Sequence, residues 1–373
     1  IQNTFATGTQ GLGLASDAYV QGNKLQTGVF QLNSDWSDAF STEVRGFYKD
    51  YVRIQDPLLG RGFAQFDVCT APTSDRPATL TTGNSASINC PTQYGTISFG
   101  PDLSRQTNAL NVKSYGGLLQ GRLKAGDHDI RIFGEFAATK TFNSFLQRSA
   151  GQYYFDSLAD YQAGNAQRLR YQNQVFTLDP NDAAAQFKYQ SYTFGVGDNW
   201  RVNDLLTVNL GLRYDMYGGG TFPVLNTTFR SRYGFPNNYY LNGLSLLQPR
   251  FGFTFKAMPD LTLRGGFGLF GGGTPDVYVS NSFSNTGVLT NTIDIQQTSN
   301  ASYNNASGAA ILTGVNGTTI PSAANTVLQS ATLSANSPTN ALARNFKLPS
   351  QWRGTLSADW TPRDLLGGGW SFG

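Results

Sequence analysis

The sequence predicts an all-β chain, part of a transmembrane antiparallel up-and-down β-barrel with long extracellular loops. Three observations predict it. Apolar and polar residues alternate over runs of about 11–16 residues, where ordinary strands average five or six. The runs come in pairs joined by short polar turns, with far longer connections between pairs. Only 14% of the 373 residues are charged while 13% are aromatic, against about a quarter charged in soluble proteins.

The first pair is 24–35 and 40–54, turning at 36–39. Phe40, Thr42, Val44, Gly46 and Tyr48 share one face, and Ser41, Glu43, Arg45 and Lys49 the other. The next is 108–124 and 129–142, where Ile130, Ile132 and Phe136 oppose Asp129, Arg131 and Glu135. Leu118 breaks the pattern by falling on the polar face beside Gln120 and Arg122.

The clearest pair is 186–201 and 205–217. Tyr192, Phe194, Val196 and Trp200 face one way, continued after the turn by Leu206, Val208, Leu210, Leu212 and Tyr214. The pair 247–257 and 261–271 follows, turning at 258–260, with Phe251, Phe253 and Phe255 opposite Arg250, Thr254 and Lys256. Last come 348–360, with Trp352, Leu356 and Trp360 on one face, and a strand beginning at 369–373.

Successive strand side chains point to opposite faces, so each run has one apolar and one polar wall. A soluble sheet can alternate in the same way. Length decides, because a tilted membrane strand needs about 9–11 residues. Trp36, Tyr48, Trp200, Tyr217, Trp352 and Trp360 gather near strand ends, as an interfacial girdle requires. The long connections at 55–107, 143–185, 218–246 and 272–347 should lie outside the cell, with 1–22 ending another such loop.

No apolar run approaches the roughly 18 residues of a membrane helix, in line with a mean hydropathy of −0.30. A dispersed net charge of +3 gives no nucleic-acid surface. The opening residues show no secretory leader.

Residues 197–215 (GDNWRVNDLLTVNLGLRYD), 247–253 (LQPRFGF) and 263–270 (LRGGFGLF) resemble the strand motifs of TonB-dependent outer-membrane receptors. Residues 154–164 (YFDSLADYQAG) resemble a loop of their Oar-like, OmpA-related branch. The resemblance implies a 22-stranded barrel in the outer membrane of a Gram-negative bacterium, an N-terminal plug, and energy delivered through TonB. Two departures stand out: no plug or TonB box is present, and nine strands with a stub cannot close an even barrel. The expectation is that 1–373 is a partial barrel domain, an internal portion of a larger receptor. Its partners would be outer-membrane lipid and lipopolysaccharide, TonB through a plug outside this sequence, and a surface protein.

Cys69 and Cys90, the only cysteines, are expected to form a disulfide, since no histidine or further cysteine completes a metal set. His128, the sole histidine, falls in the turn 126–129 and reads as a solvated residue. It leaves a Ser-His-Asp hydrolase without a nucleophile motif, so the chain is not expected to be an enzyme. The glycine clusters 218–220, 265–266, 271–273 and 367–369 lack the Lys-Ser/Thr and helix of a phosphate loop, so no cofactor is expected.

Glu43, Arg45, Arg131, Glu135, Arg213, Asp215, Arg250, Arg264 and Asp359 are the expected lumen- or plug-facing charges. Tyr153, Tyr154, Phe155, Tyr161, Tyr239 and Tyr240 could grip a ligand by stacking, or could pack one loop on another. Two functions compete: active import of a bulky nutrient captured by the loops, and a surface, assembly or secretion role in which the loops bind a protein. A passive porin comes third.

Overall fold

The computed structural model describes residues 11–72, 90–91, 93–296, 311–330, 338–362 and 370–373. Its strands are numbered β1–β15 along the chain. Nine of them form one antiparallel meander: β2 (Tyr19–Asp35), β3 (Phe40–Pro57), β6 (Asn108–Ala125), β7 (His128–Phe145), β10 (Ala185–Arg201), β11 (Leu206–Gly218), β12 (Ser245–Met258), β13 (Leu261–Gly271) and β15 (Ser350–Trp360). Each expected full strand is present, and most extend further toward the long connections. The expected tenth begins at Gly369, outside the described residues; beyond it a single bridge joins Phe372 to Trp360.

The register keeps one apolar face continuous across the sheet. Val44 lies opposite Leu32 and Leu119, Val196 opposite Ile132 and Leu212, and Phe251 opposite Leu210 and Phe267. The face is bare: Phe30, Ile132, Phe194, Phe267 and Leu356 are all exposed. An apolar face this large, left uncovered, belongs against lipid rather than water. Glycines open room for neighbouring rings on both faces. A Cβ on Gly195 would lie 2.2 Å from the Phe133 ring, and one on Gly265 would lie 2.4 Å from the Phe253 ring. Both rings therefore lie across the strand beside them, a close approach that only glycine permits.

The long connections hold structure that the strand count does not anticipate. Six short strands form a second, mixed sheet in the order β1-β5-β4-β8-β9-β14. They are β1 (Gly11–Gly13), β4 (Gln65–Cys69), β5 (Thr96–Phe99), β8 (Gln152–Phe155), β9 (Arg168–Gln174) and β14 (Thr290–Gln296). Two of its pairings, β1–β5 and β4–β8, are parallel. Four separate connections thus contribute to one loop head at the same end of the wall. Cys69 and Cys90 are bonded there, with Cα atoms 5.3 Å apart. Closing a loop of 21 residues stabilises the head by about 3 kcal/mol in the chain-entropy model.

Candidate functional site

The loop head has two faces, each dictated by alternation. On β9, Leu169 and Tyr171 point into a core with Val68, Tyr153, Phe155 and Ile293, roofed by Leu312 and by Val327 and Leu328 of the helix Ser322–Ser330. Arg168 and Arg170 point the other way, because they are paired with the polar residues Tyr154, Gln152, Gln296 and Asp294. On that polar face Arg168 Nε donates to Asp294 Oδ1 at 2.7 Å, and Arg148 Nε to Gln152 Oε1 at 2.7 Å. Gln152 Nε2 and Ser98 Oγ both donate to Asp67, at 2.7 and 2.6 Å. Burial, and then repulsion from neighbouring arginines, holds the Arg148 and Arg170 guanidiniums below their usual pKa. The face is a half-buried, cation-rich network able to donate forked hydrogen bonds to an anionic or hydroxylated group.

The loops also close over the inner side of the wall. The helix Asp276–Ser284 lies on the polar face of β10, where Val279 and Phe283 pack with Ala185, Phe187, Tyr240 and Leu241. Asn143 Nδ2, on the same face of β7, donates to Ser280 Oγ at 2.8 Å. Phe187 is buried beneath this helix; Thr141, Thr193 and Gln248 of the polar face are buried too, while Lys140 and Lys188 on the opposite face stay exposed.

The expected ring contacts fall largely inside cores. Tyr153 and Phe155 are fully buried, Tyr161 meets Phe99 edge-on at 5.2 Å, and Tyr154 packs beside the disulfide. Tyr240 is buried against Phe283 with its hydroxyl donating to the Lys188 carbonyl at 2.7 Å, and Tyr239 packs at the edge of that cluster. Burial pushes the Tyr153 and Tyr240 hydroxyls above the usual pKa. Of the two roles open to these rings, packing loop on loop accounts for their positions.

The register puts the nine expected charges on the polar face. Glu43 and Arg45 pair at 2.5 Å, Arg213 Nε meets Asp215 Oδ1 at 2.9 Å, and Arg264 pairs with Asp359. Asp215 also accepts from Thr193 and Gln248, at 2.8 and 2.6 Å. Glu135 stands opposite Thr193 and Leu118, and Arg131 opposite Gly197 and Arg122. Arg250 sits over the Phe270 ring at 4.6 Å.

His128 is a correction. It is not a free turn residue but the first residue of β7, opposite Trp200, whose ring it stacks on at 5.3 Å. Its Nδ1 lies 2.7 Å from Asp198 Oδ2. The turn is tighter than the spacing suggests, leaving Gly126 and Asp127 between the strands. Among the described residues no cluster of His, Cys, Asp and Glu could hold a metal.

At the base of the head, Asp17 is buried with its Oδ1 unpartnered, and its pKa is raised to about 7 by burial, then by Asp102 and Asp67. A carboxyl that ionises later in the folded state than in the unfolded one loses stability as pH rises from about 4 to about 7. The loss is bounded by about 4 kcal/mol, less where water screens the group. Asp17→Asn should therefore raise hydrogen-exchange protection around β1 and β5 at pH 7.5 and change nothing at pH 4. Equal gains at both pH values would show that ionisation is not the cause.

The family model described as "Outer membrane beta barrel domain" matches residues 2–360. No curated protein matches the sequence. Solved structures similar to parts of the chain include the outer-membrane transporter YddB from Escherichia coli, 12% identical with a TM-score of 0.45, covering 74% of this chain and 29% of that one. The siderophore receptor PirA from Acinetobacter baumannii is 13% identical with a TM-score of 0.39, covering 91% and 33%. The unliganded ferric citrate transporter FecA is 9% identical with a TM-score of 0.37, covering 73% and 31%. The chain spans about a third of the length of these structures.

Proposed function

The chain belongs to the outer-membrane β-barrel domain family, and from that premise we propose that it is the loop-bearing wall of a receptor importing a bulky nutrient. The protein lies in the outer membrane, with its apolar face toward lipid and its polar face toward the lumen. One observation carries the import reading: the loops fold inward over the polar face and build a head with its own core. An open pore has no use for a folded structure over its mouth. A receptor that captures its cargo before passage does.

In this reading the arginine-rich face of the head and the paired lumen charges meet cargo and plug in turn. The motif resemblance supports energy from TonB and membership of the Oar-like branch. Backbone chemistry supports a larger barrel, because an open strand edge in lipid leaves polar groups unsatisfied. Among the described residues β2 has no partner on one side, and β15 has only the Phe372 bridge there.

The test uses cells carrying the full-length receptor, with depletion of nutrients from defined medium followed by mass spectrometry. One or more solutes should disappear only when both the receptor and a functional TonB are present. Loss of no solute, or loss that persists without TonB, would overturn active import.

A second reading, docking of a surface protein, is favoured by exposed apolar side chains on the same end. Phe176, Val277 and Tyr278 are 69%, 71% and 70% exposed. Stoichiometric co-purification of a surface protein that is lost on changing these three to serine would establish it.

A further inference from the structure

The polar face of the loop head carries one cation that its neighbours do not serve. Arg170 lies opposite Gln152 on β8 and Asp294 on β14, and both are engaged elsewhere. Asp294 gives its two oxygens to the fork of Arg168, Nε reaching Oδ1 at 2.7 Å and Nη2 reaching Oδ2. Gln152 accepts from Arg148 and donates to Asp67, each at 2.7 Å. Among the described residues, Arg170 therefore keeps a full fork of N–H donors without a hydrogen-bond acceptor, although it is half-buried. A half-buried polar group left in this way calls for an explanation. Its nitrogens are not sealed from solvent, so a ligand can reach them.

Arg148 is brought to the same place through a strained backbone. Its φ is 60°, the left-handed region that residues with a Cβ rarely adopt. Three main-chain hydrogen bonds hold it there. Its N–H donates to the Leu103 carbonyl at 2.9 Å, and its own carbonyl accepts from Gly151 and Gln172 at 3.0 and 3.3 Å. Strained residues of this kind collect at ligand clamps. Among the described residues, the Arg148 guanidinium uses only its Nε, on Gln152, which leaves both terminal nitrogens to bind.

Charge then narrows the ligand. Arg148 and Arg170 both feel the charges of Arg168, Asp294 and Asp67. Three cations against two carboxylates leave an excess of one positive charge. One negative charge balances it, while a dianion would overshoot in a setting only partly open to water. A carboxylate also matches the planar guanidinium fork with two parallel hydrogen bonds.

We propose that Arg148 and Arg170 grip a carboxylate of the imported solute, so that the cargo is an organic acid held by a single ionised group. Calling that carboxylate cargo rests on the import reading; the site itself does not.

The probe is acetate, with acetamide as its uncharged counterpart, read by hydrogen exchange on the full-length receptor in detergent. Sodium acetate in place of sodium chloride, at equal ionic strength, should slow exchange in β8 and β9 by at least about threefold, the effect of a ligand at about twice its Kd. Exchange in β7 and β10 should not change, and acetamide should have no effect. The R170Q variant should lose the acetate response. In chloride it should exchange no faster than the wild type, because one repelling charge is gone. Absence of slowing by acetate would overturn the proposal, as would equal slowing by acetamide. Equal slowing in R170Q would assign the effect to general salt action, and stronger slowing by the phosphate dianion would assign the site to another anion; either result also overturns it. If R170Q loses protection throughout the head, the comparison of acetate with acetamide on wild-type protein still decides. The measurement needs neither TonB nor uptake, so failure of active import leaves the site standing. Where import holds, the depleted solutes should carry a carboxylate, and a solute without one would remove the cargo assignment.

Discussion

Truncation of Phe155 to alanine is expected to unfold the loop head and leave the barrel wall folded. Phe155 is fully buried, with the Phe66 ring at 5.6 Å and the Tyr161 ring at 5.4 Å. Removing a buried phenyl group costs about 3–5 kcal/mol, through lost transfer energy and the cavity left behind. The head is poorly placed to absorb that, because its strands are short and come from four separate connections. The wall makes none of these contacts and keeps its own hydrogen-bonded ladder. Hydrogen exchange should show β8, β9 and β14 losing protection together while β7 and β10 keep theirs. Heat-modifiable gel mobility, a property of the wall, should be unchanged. The result also separates the two roles open to this ring. A ring that only touched cargo would lose capture and keep protection. Unchanged protection in the head would therefore refute the packing role assigned here.

The wall was legible in the sequence because its strands are long and one face of each must stay apolar. A run such as 192–217 repeats its alternation often enough to exclude chance. The loop head obeys the same rule but over shorter spans. β9 reads Arg-Leu-Arg-Tyr-Gln-Asn-Gln and β14 reads Thr-Asn-Thr-Ile-Asp-Ile-Gln. Each alternates for a few residues only, and their pairing across more than a hundred positions leaves no local mark. The signal that could have found them is the match of polarity between such fragments: Arg168 and Arg170 on one, Asp294 on the other. His128 was misplaced for a related reason. Its partner Asp198 lies 70 residues away, and only the register of β7 with β10 brings the two together. The nine charges expected to face the lumen share the polar face of the sheet by parity alone. Which of them pair was not readable, since that depends on strand stagger.

Replacement of Asp294 by alanine should destabilise the head by about 2–3 kcal/mol, somewhat less than the roughly 3–5 kcal/mol for breaking a fully buried ion pair. The discount reflects exposure: the side chains of Arg168 and Asp294 retain 13% and 22% of their accessible surface. The loss is larger than for a surface pair because Asp294 does not serve Arg168 alone. Arg148 and Arg170 also feel its charge, and Asp67 is the other carboxylate near them. Without Asp294, three guanidiniums share one counter-charge in a half-dry setting, and each is penalised by the others. The second change that removes this penalty is Arg168→Gln. The double variant should recover part of the lost stability, a coupling that independent sites do not show. The readout is the midpoint of head unfolding, followed by exchange protection of β9 and β14 in urea. Added salt should narrow the gap between the single variant and the wild type by screening the exposed side of the cluster. A double variant no more stable than Asp294→Ala would mean that repulsion among the arginines is not what Asp294 restrains. The loss would then come from packing alone, and the polar face could tolerate its charge without a partner.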